Sequence, residues 1–192
     1  MRIAIVGGKL QGVEIVYLAR KAGFSTVLLD RNEDVPASKI SDEFVQFNFK
    51  KENNWPRKLG KFDIIFPAIE DFATLSLLKK WAERIGVPIV LDLDAYGLSS
   101  SKNRCNDLFK KLSLPLPEPA RRAPFPVVVK PDGASGSTGV VVAENQIELE
   151  LALQKISGEV VIQQYLEGPS FSIEIIGCPG NYVTLQVTDL YM

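Results

Sequence analysis

Val127-Val128-Val129-Lys130-Pro131-Asp132-Gly133-Ala134-Ser135-Gly136-Ser137-Thr138-Gly139-Val140-Val141-Val142 decides how the rest of this chain is read. Two runs of valine flank a loop of small residues. β-branched side chains favour the pleated, half-buried surface of a sheet, so both runs read as strands of one hairpin. Gly133, Gly136 and Gly139 recur at even spacing, with Ser135, Ser137 and Thr138 between them. Glycine allows close approach of the backbone to a ligand, and successive N–H groups with hydroxyls can surround a phosphate. Lys130 closes the first strand and brings a point charge to the same place.

A glycine-serine loop by itself is read as a flexible turn, because short glycine motifs match by chance. The Lys-Pro opening and the strand on each side turn the reading to a phosphate-covering hairpin. It is not a Walker A loop, since no Lys-Ser or Lys-Thr follows the last glycine. The His-Arg-Asp and Asp-Phe-Gly signatures of protein kinases are absent.

The composition narrows the chemistry. The 192 residues suffice for one large domain or two small ones. Lysine and arginine number 22 against 23 acids, so there is no basic footprint for nucleic acid. No apolar run approaches the length of a membrane span, and the N-terminus enters a strand without a secretory pattern. Histidine is missing altogether, which excludes a Ser-His-Asp triad, a Cys-His pair and every histidine metal site. Cys105 and Cys178 stand far apart and read as buried small residues in a reducing, cytoplasmic compartment. Catalysis is left to carboxylates, lysine, arginine, backbone amides or a hard metal ion.

Upstream of the hairpin, strands alternate with helices. Arg2–Val6 is a short apolar strand, followed by Gly7-Gly8-Lys9-Leu10-Gln11-Gly12 and a helical pattern through Val13, Val16, Tyr17 and Ala19, ending near Gly23. Thr26–Leu29 is a second strand, ended by Asp30. This βαβ unit predicts a parallel sheet with a right-handed crossover. The glycines depart from the dinucleotide spacing Gly-x-Gly-x-x-Gly, although Asp30 lies where a ribose-binding acid belongs. A tight turn with close helix–strand packing explains them as well. Further strands are expected at Phe44–Phe47, Asp63–Pro67 and Pro88–Leu91. A charged surface helix is expected over Lys50–Gly60, and another helix over Phe72–Ile85 with Gly86 as its stop. In such sheets ligands bind outside the carboxyl ends of the strands, the edge that holds Lys9, Gln11, Asp30, Glu70 and Asp71.

Downstream, Ser99-Ser100-Ser101 starts a helix continuing over Lys102–Leu112, and a proline-rich extended stretch follows. Asn145 caps a helix over Gln146–Ile156. Val160–Gly168 is a strand entering a turn, and Ser172–Gly177 and Tyr182–Val187 are two more strands.

Taken together, the helix bearing Lys102, the Val-Lys-Pro hairpin and Val161-Ile162-Gln163-Gln164-Tyr165-Leu166-Glu167-Gly168 resemble the ATP-grasp superfamily of carboxylate–amine ligases. Ile5–Gly12, Pro67–Asp71 and Leu91–Tyr96 are similar to the pyrrolysine-biosynthesis branch, whose members join a 3-methylornithine carboxylate to the side-chain amine of lysine. The resemblance runs from Met1 to Met192. It implies an α/β fold: a parallel-sheet, Rossmann-like pre-ATP-grasp domain over residues 1–98, then an incomplete α+β ATP-grasp domain over 99–192.

The resemblance also implies roles. Lys102 and Lys130 match lysines that contact ATP phosphates. Ser135, Gly136, Ser137 and Thr138 match the phosphate-covering loop, and Gln163, Gln164, Tyr165 and Leu166 the hinge that holds adenine. Lys9 and Asp30 match positions assigned to nucleotide, and Leu10, Gln11 and Glu70 positions that contact lysine. The family commonly has glutamate where Gln163 stands. ATP and Mg2+ are the implied cofactors and small amino acids the partners, with neither nucleic acid nor membrane involved. The family's magnesium-binding acids and an arginine lie in a further C-terminal part, so this chain is expected to be an N-terminal portion, inactive alone. Without the resemblance, Lys102 reads as a solvated helix lysine, and Glu70 serves equally well as an acid favourable to a helix dipole. Another amino-acid or purine-pathway ligase, or a non-catalytic nucleotide-binding subunit, are the alternatives.

Overall fold

The computed structural model describes residues 1–51, 60–120, 123–134, 136–178 and 180–190, the Cys178 side chain excepted. The chain divides into two compact units, Met1–Ser99 and Ser100–Met192.

The first unit is a parallel sheet in the order β3-β2-β1-β4. Its strands are β1 (Arg2–Val6), β2 (Ser25–Asp30), β3 (Glu43–Gln46) and β4 (Ile64–Pro67). α1 (Leu10–Lys21) connects β1 to β2, and α2 (Phe72–Ile85) follows β4. Strand residues point alternately to the two faces, and each face carries its own core. Ile3, Ile5 and Leu28 pack with Val16 and Ala19 of α1. Ala4, Val6, Val27, Leu29 and Ile65 pack with Leu78, Trp81 and Ala82 of α2 and with Phe47 and Phe49. Leu78 is fully buried, which contributes about 1.5–3 kcal/mol relative to an exposed leucine. The buried Thr26 hydroxyl donates to Asp42 Oδ2 at 2.9 Å and the Thr26 N–H to the same oxygen at 2.8 Å.

Two expectations change here. Pro88–Leu91 is not a strand but a single parallel bridge, Ile65 to Ile89. Pro88 has no N–H to donate, and the Leu91 N–H turns back to the Ile89 carbonyl. Asp92 then caps an additional helix, α3 (Leu93–Ser99), by accepting the Ala95 N–H at 2.9 Å. In α1, Tyr17 lies outward while Val16 and Ala19 carry the packing. The helix expected over Lys50–Gly60 falls mainly on residues 52–59, outside the described residues.

In the second unit, α4 (Lys102–Lys111) precedes β5 (Val127–Pro131), β6 (Val141–Ala143), α5 (Gln146–Lys155) and β7 (Val160–Gln164). β6, β5 and β7 form an antiparallel sheet in that order. Asn145 caps α5 by accepting the Glu148 N–H at 3.0 Å. Cys105, on α4, is half-buried rather than buried. β8 (Ser170–Cys178) and β9 (Asn181–Leu190) pair as a separate antiparallel ribbon, with a register shift at Glu174/Ile175. Phe171, Ile173, Ile175, Leu185 and Val187 of this ribbon are all exposed. No helix among the described residues is long and apolar enough to cross a membrane.

Candidate functional site

In the second unit, the glycine loop hangs between β5 and β6, as the valine runs predict. Gly136 and Gly139 have φ of 62° and 73°, and Ser137 joins them at 58°. A Cβ at Gly139 would lie 2.9 Å from Pro131 Cγ, so a side chain there would push the loop off its own strand. Gly136, Ser137, Thr138 and Gly139 are exposed; Ser135 lies outside the described residues.

α4 is anchored to the start of this loop. Ser101 Oγ accepts the Arg104 N–H at 3.2 Å, and Asp132 Oδ1 accepts the Asn103 N–H at 2.8 Å. Two N–H groups of the first turn, which have no partner within the helix, are thereby satisfied. Lys102 Nζ donates to three backbone carbonyls, those of Pro131 at 2.9 Å, Asp132 at 3.1 Å and Ala134 at 2.6 Å. Lys130 is half-buried at the end of β5. Burial, and then the nearby charge of Lys102, lower its pKa below the ordinary lysine value. Burial without an anion disfavours an ammonium, so the position is one that a phosphate would improve.

The four residues matched to the adenine hinge follow the same sheet. Gln163 and Gln164 on β7 pair with Val128 and Val127 of β5. The Gln164 N–H donates to the Glu118 carbonyl at 2.7 Å and the Tyr165 N–H to that of Pro126 at 3.3 Å. Tyr165 and Leu166 leave the strand exposed. Asp132 has no role in the sequence reading. Its signal is its place directly after Lys-Pro, but its helix-capping partner lies 29 residues upstream.

In the first unit, Gln11 Nε2 donates to Glu70 Oε1 at 3.2 Å, which joins two of the three residues matched to an amine substrate. Leu10 opens α1 with 70% of its surface exposed. Asp71 does different work. It caps α2, accepting the Thr74 N–H at 2.8 Å and the Thr74 hydroxyl, and pairs with Lys50 Nζ at 3.1 Å. The Thr74 hydrogen bonds, with Lys50 adding less, lower its pKa to about 2. Tyr96 of α3 stacks on Phe72 with centroids 6.4 Å apart. Its phenol pKa is raised by burial first, then by the Glu70 and Asp71 carboxylates. Tyr96 belongs to this cluster and has no role in the sequence reading, because α3 is a short helix with no buried face to mark it.

The glycines after β1 are packing glycines. A Cβ on Gly7 would meet the Ala68 carbonyl oxygen at 2.4 Å, one on Gly8 Val35 Cγ2 at 2.3 Å, and one on Gly12 the Gly7 carbonyl oxygen at 2.1 Å. Both Asp30 oxygens are engaged locally, Oδ2 by the Gly8 N–H and Oδ1 by the Asn32 N–H, each at 2.8 Å. Lys9 occupies the N-cap position of α1 without a side-chain capping bond. Among the described residues no group of three acidic, cysteine or histidine side chains could hold a metal ion.

Comparison with known proteins bears on both units. Residues 99–192 match the sequence profile of the ATP-grasp domain. The chain is similar to the 3-methyl-D-ornithine–L-lysine ligase of Methanosarcina barkeri, 32% identical over 187 residues, which cover 97% of this chain and 50% of that protein. It thus spans about half the length of the curated relatives it matches. Among solved structures, N5-carboxyaminoimidazole synthetase from Staphylococcus aureus, complexed with ADP, superposes with a TM-score of 0.81 at 21% identity, covering all of this chain and 55% of that one. The L-amino acid ligase from Bacillus licheniformis gives 0.71 at 21%, covering 98% and 50%. At those identities the likeness establishes the fold alone.

Proposed function

We propose, because this chain belongs to the ATP-grasp family through residues 99–192, that it forms part of an ATP-dependent carboxylate–amine ligase. The proposed substrates are a 3-methylornithine carboxylate and the side-chain amine of lysine, as the name of the Methanosarcina relative suggests. A carboxylate is a poor acylating agent. Transfer of the γ-phosphoryl group to a carboxylate oxygen gives an acyl phosphate and ADP. The amine then attacks the carbonyl carbon, loses a proton and displaces phosphate. The protein's part is positioning and charge neutralisation.

The observation that carries the proposal is Lys130, half-buried and carrying a lowered pKa beside a glycine loop held between antiparallel strands. The loop's N–H groups and the Lys130 ammonium suit a polyphosphate. At the end of the stretch from Gln163 to Leu166, the exposed Tyr165 and Leu166 suit an adenine ring, the Gln164 and Tyr165 N–H groups being held by the Glu118 and Pro126 carbonyls. Glu70, oriented by Gln11, suits the α-ammonium of lysine, which leaves the side-chain amine to react.

The test is made on the full-length protein. With ATP, Mg2+, 3-methylornithine and lysine, phosphate release should match amide formation one to one by mass spectrometry. Release that is independent of lysine, or a different amine consumed in its place, would reject this pair of substrates.

A further inference from the structure

In the first unit an aromatic pair stands beside the contact of Gln11 with Glu70. Phe72 opens α2, two residues after Glu70. Tyr96 of α3 lies nearly parallel to it, at an interplanar angle of 17° with centroids 6.4 Å apart. α3 also approaches the Phe72 ring through its backbone: a Cβ on Gly97 would come within 3.1 Å of Phe72 Cε2, closer than an ordinary contact. The Tyr96 N–H donates to the Asp92 carbonyl at 3.0 Å, which fixes Tyr96 to the start of its helix. The two rings are thus held by two helices, yet Phe72 leaves 49% of its surface in solvent. Burial, then the Glu70 and Asp71 carboxylates, keep the Tyr96 phenol protonated, so its ring meets a ligand uncharged. Asp71 is committed to Thr74 and Lys50. Glu70 is exposed, with Gln11 Nε2 on one of its oxygens.

An exposed aromatic surface next to a carboxylate suits a ligand with an ammonium at one end and an apolar stem behind it. The carboxylate takes the charge, and the rings remove water from the methylenes. We propose that Phe72 and Tyr96 are specificity-determining residues for the amine substrate, forming the wall against which the aliphatic stem of an α,ω-diamino acid lies. The pair reads the length of the stem, and Glu70 reads the charge. The inference rests on the placement of the amine substrate at Glu70.

Calorimetry on the full-length protein with L-lysine and L-2,4-diaminobutyrate tests the wall, because the two share their charged ends and differ by two methylenes. The parent should prefer lysine by about tenfold. Tyr96→Ala and Phe72→Ala should each cut that preference by about threefold or more, weakening lysine and sparing the shorter ligand. Tyr96→Phe keeps the ring and should keep the preference. Phe72 is half exposed, so Phe72→Ala decides the matter should Tyr96→Ala not fold. Equal weakening of both ligands in the alanine variants makes the pair merely structural and overturns the proposal, as does an unaltered preference or a parent that has none. Glu70→Gln should weaken both ligands alike. If it weakens neither while the alanine variants still cut the preference, the charge is not read at Glu70 and the wall stands. A parent that binds neither ligand overturns the wall and the amine site together.

Discussion

Asp71→Ala should destabilise the first unit by about 1 kcal/mol at neutral pH, with a pH dependence that identifies the cause. Asp71 caps α2 immediately after Glu70, so its carboxylate helps set where the candidate amine site begins. The fall in its pKa from 3.8 to about 2 corresponds through linkage to about 2 kcal/mol if none of it were screened. Its side chain is 48% exposed and Lys50 is 51% exposed, so solvent screening takes away about half of that. What remains agrees with the usual cost of losing an N-cap, about 1 kcal/mol. The folded-state pKa is depressed, so the stabilisation is fully present above the unfolded value near 3.8 and is lost as pH falls through about 2. Trp81 is buried in the core that α2 covers, and its fluorescence in a Trp55→Phe background reports unfolding of this unit. Urea titrations of parent and Asp71→Ala should therefore differ in midpoint at pH 7, by less at pH 3, and hardly at all near pH 1.5. Equal midpoints at pH 7, or a difference that persists undiminished at the lowest pH, would refute the capping account. Asp71→Asn should recover most of the loss at pH 7, because asparagine is an equally good cap.

If the proposed ligase activity holds, Glu70→Gln in the full-length protein should raise the KM for lysine by about tenfold, the loss of one charge-assisted hydrogen bond, with ATP binding nearly intact; calorimetry showing unchanged lysine affinity would remove Glu70 from the amine site. Lys130→Ala should weaken ATP or ADP binding by about tenfold or more, while unaltered nucleotide titrations would take Lys130 out of the phosphate site. Gly12→Ala should cost about 1–3 kcal/mol, since its Cβ falls 2.1 Å from the Gly7 carbonyl oxygen, and an unshifted thermal midpoint would show that the turn can yield.

Much of the architecture could be read from local chemistry. Buried parallel strands show as apolar runs, as in Ile3–Val6 and Val27–Leu29, and α2 runs from Phe72 to Ile85 as its periodicity predicts, stopped by Gly86 at φ 67°. Those signals lie within a few residues of one another, so sequence carries them. The Val-Lys-Pro hairpin and its loop are of the same kind, because β-branching and glycine spacing act locally. The partners of polar side chains are different. Nothing near Asp30 in sequence announces the Gly8 N–H, 22 residues away, as its partner. Nothing near Lys102 announces carbonyls 29 to 32 residues downstream. Asp71 reads from sequence as an acid on the ligand-binding edge of the sheet, and only the packed structure gives it to Thr74 and Lys50. Pro88–Leu91 fails as a strand for a mixed reason: its β-branched residues suit a sheet, but a missing N–H and an early turn leave one bridge. The sequence alone determined where chain segments become helix or strand and which residue types reach the sheet edges. Tertiary structure decided which donors and acceptors are already engaged, because a hydrogen bond depends on the meeting of distant segments, and that meeting is set by the packing of the core.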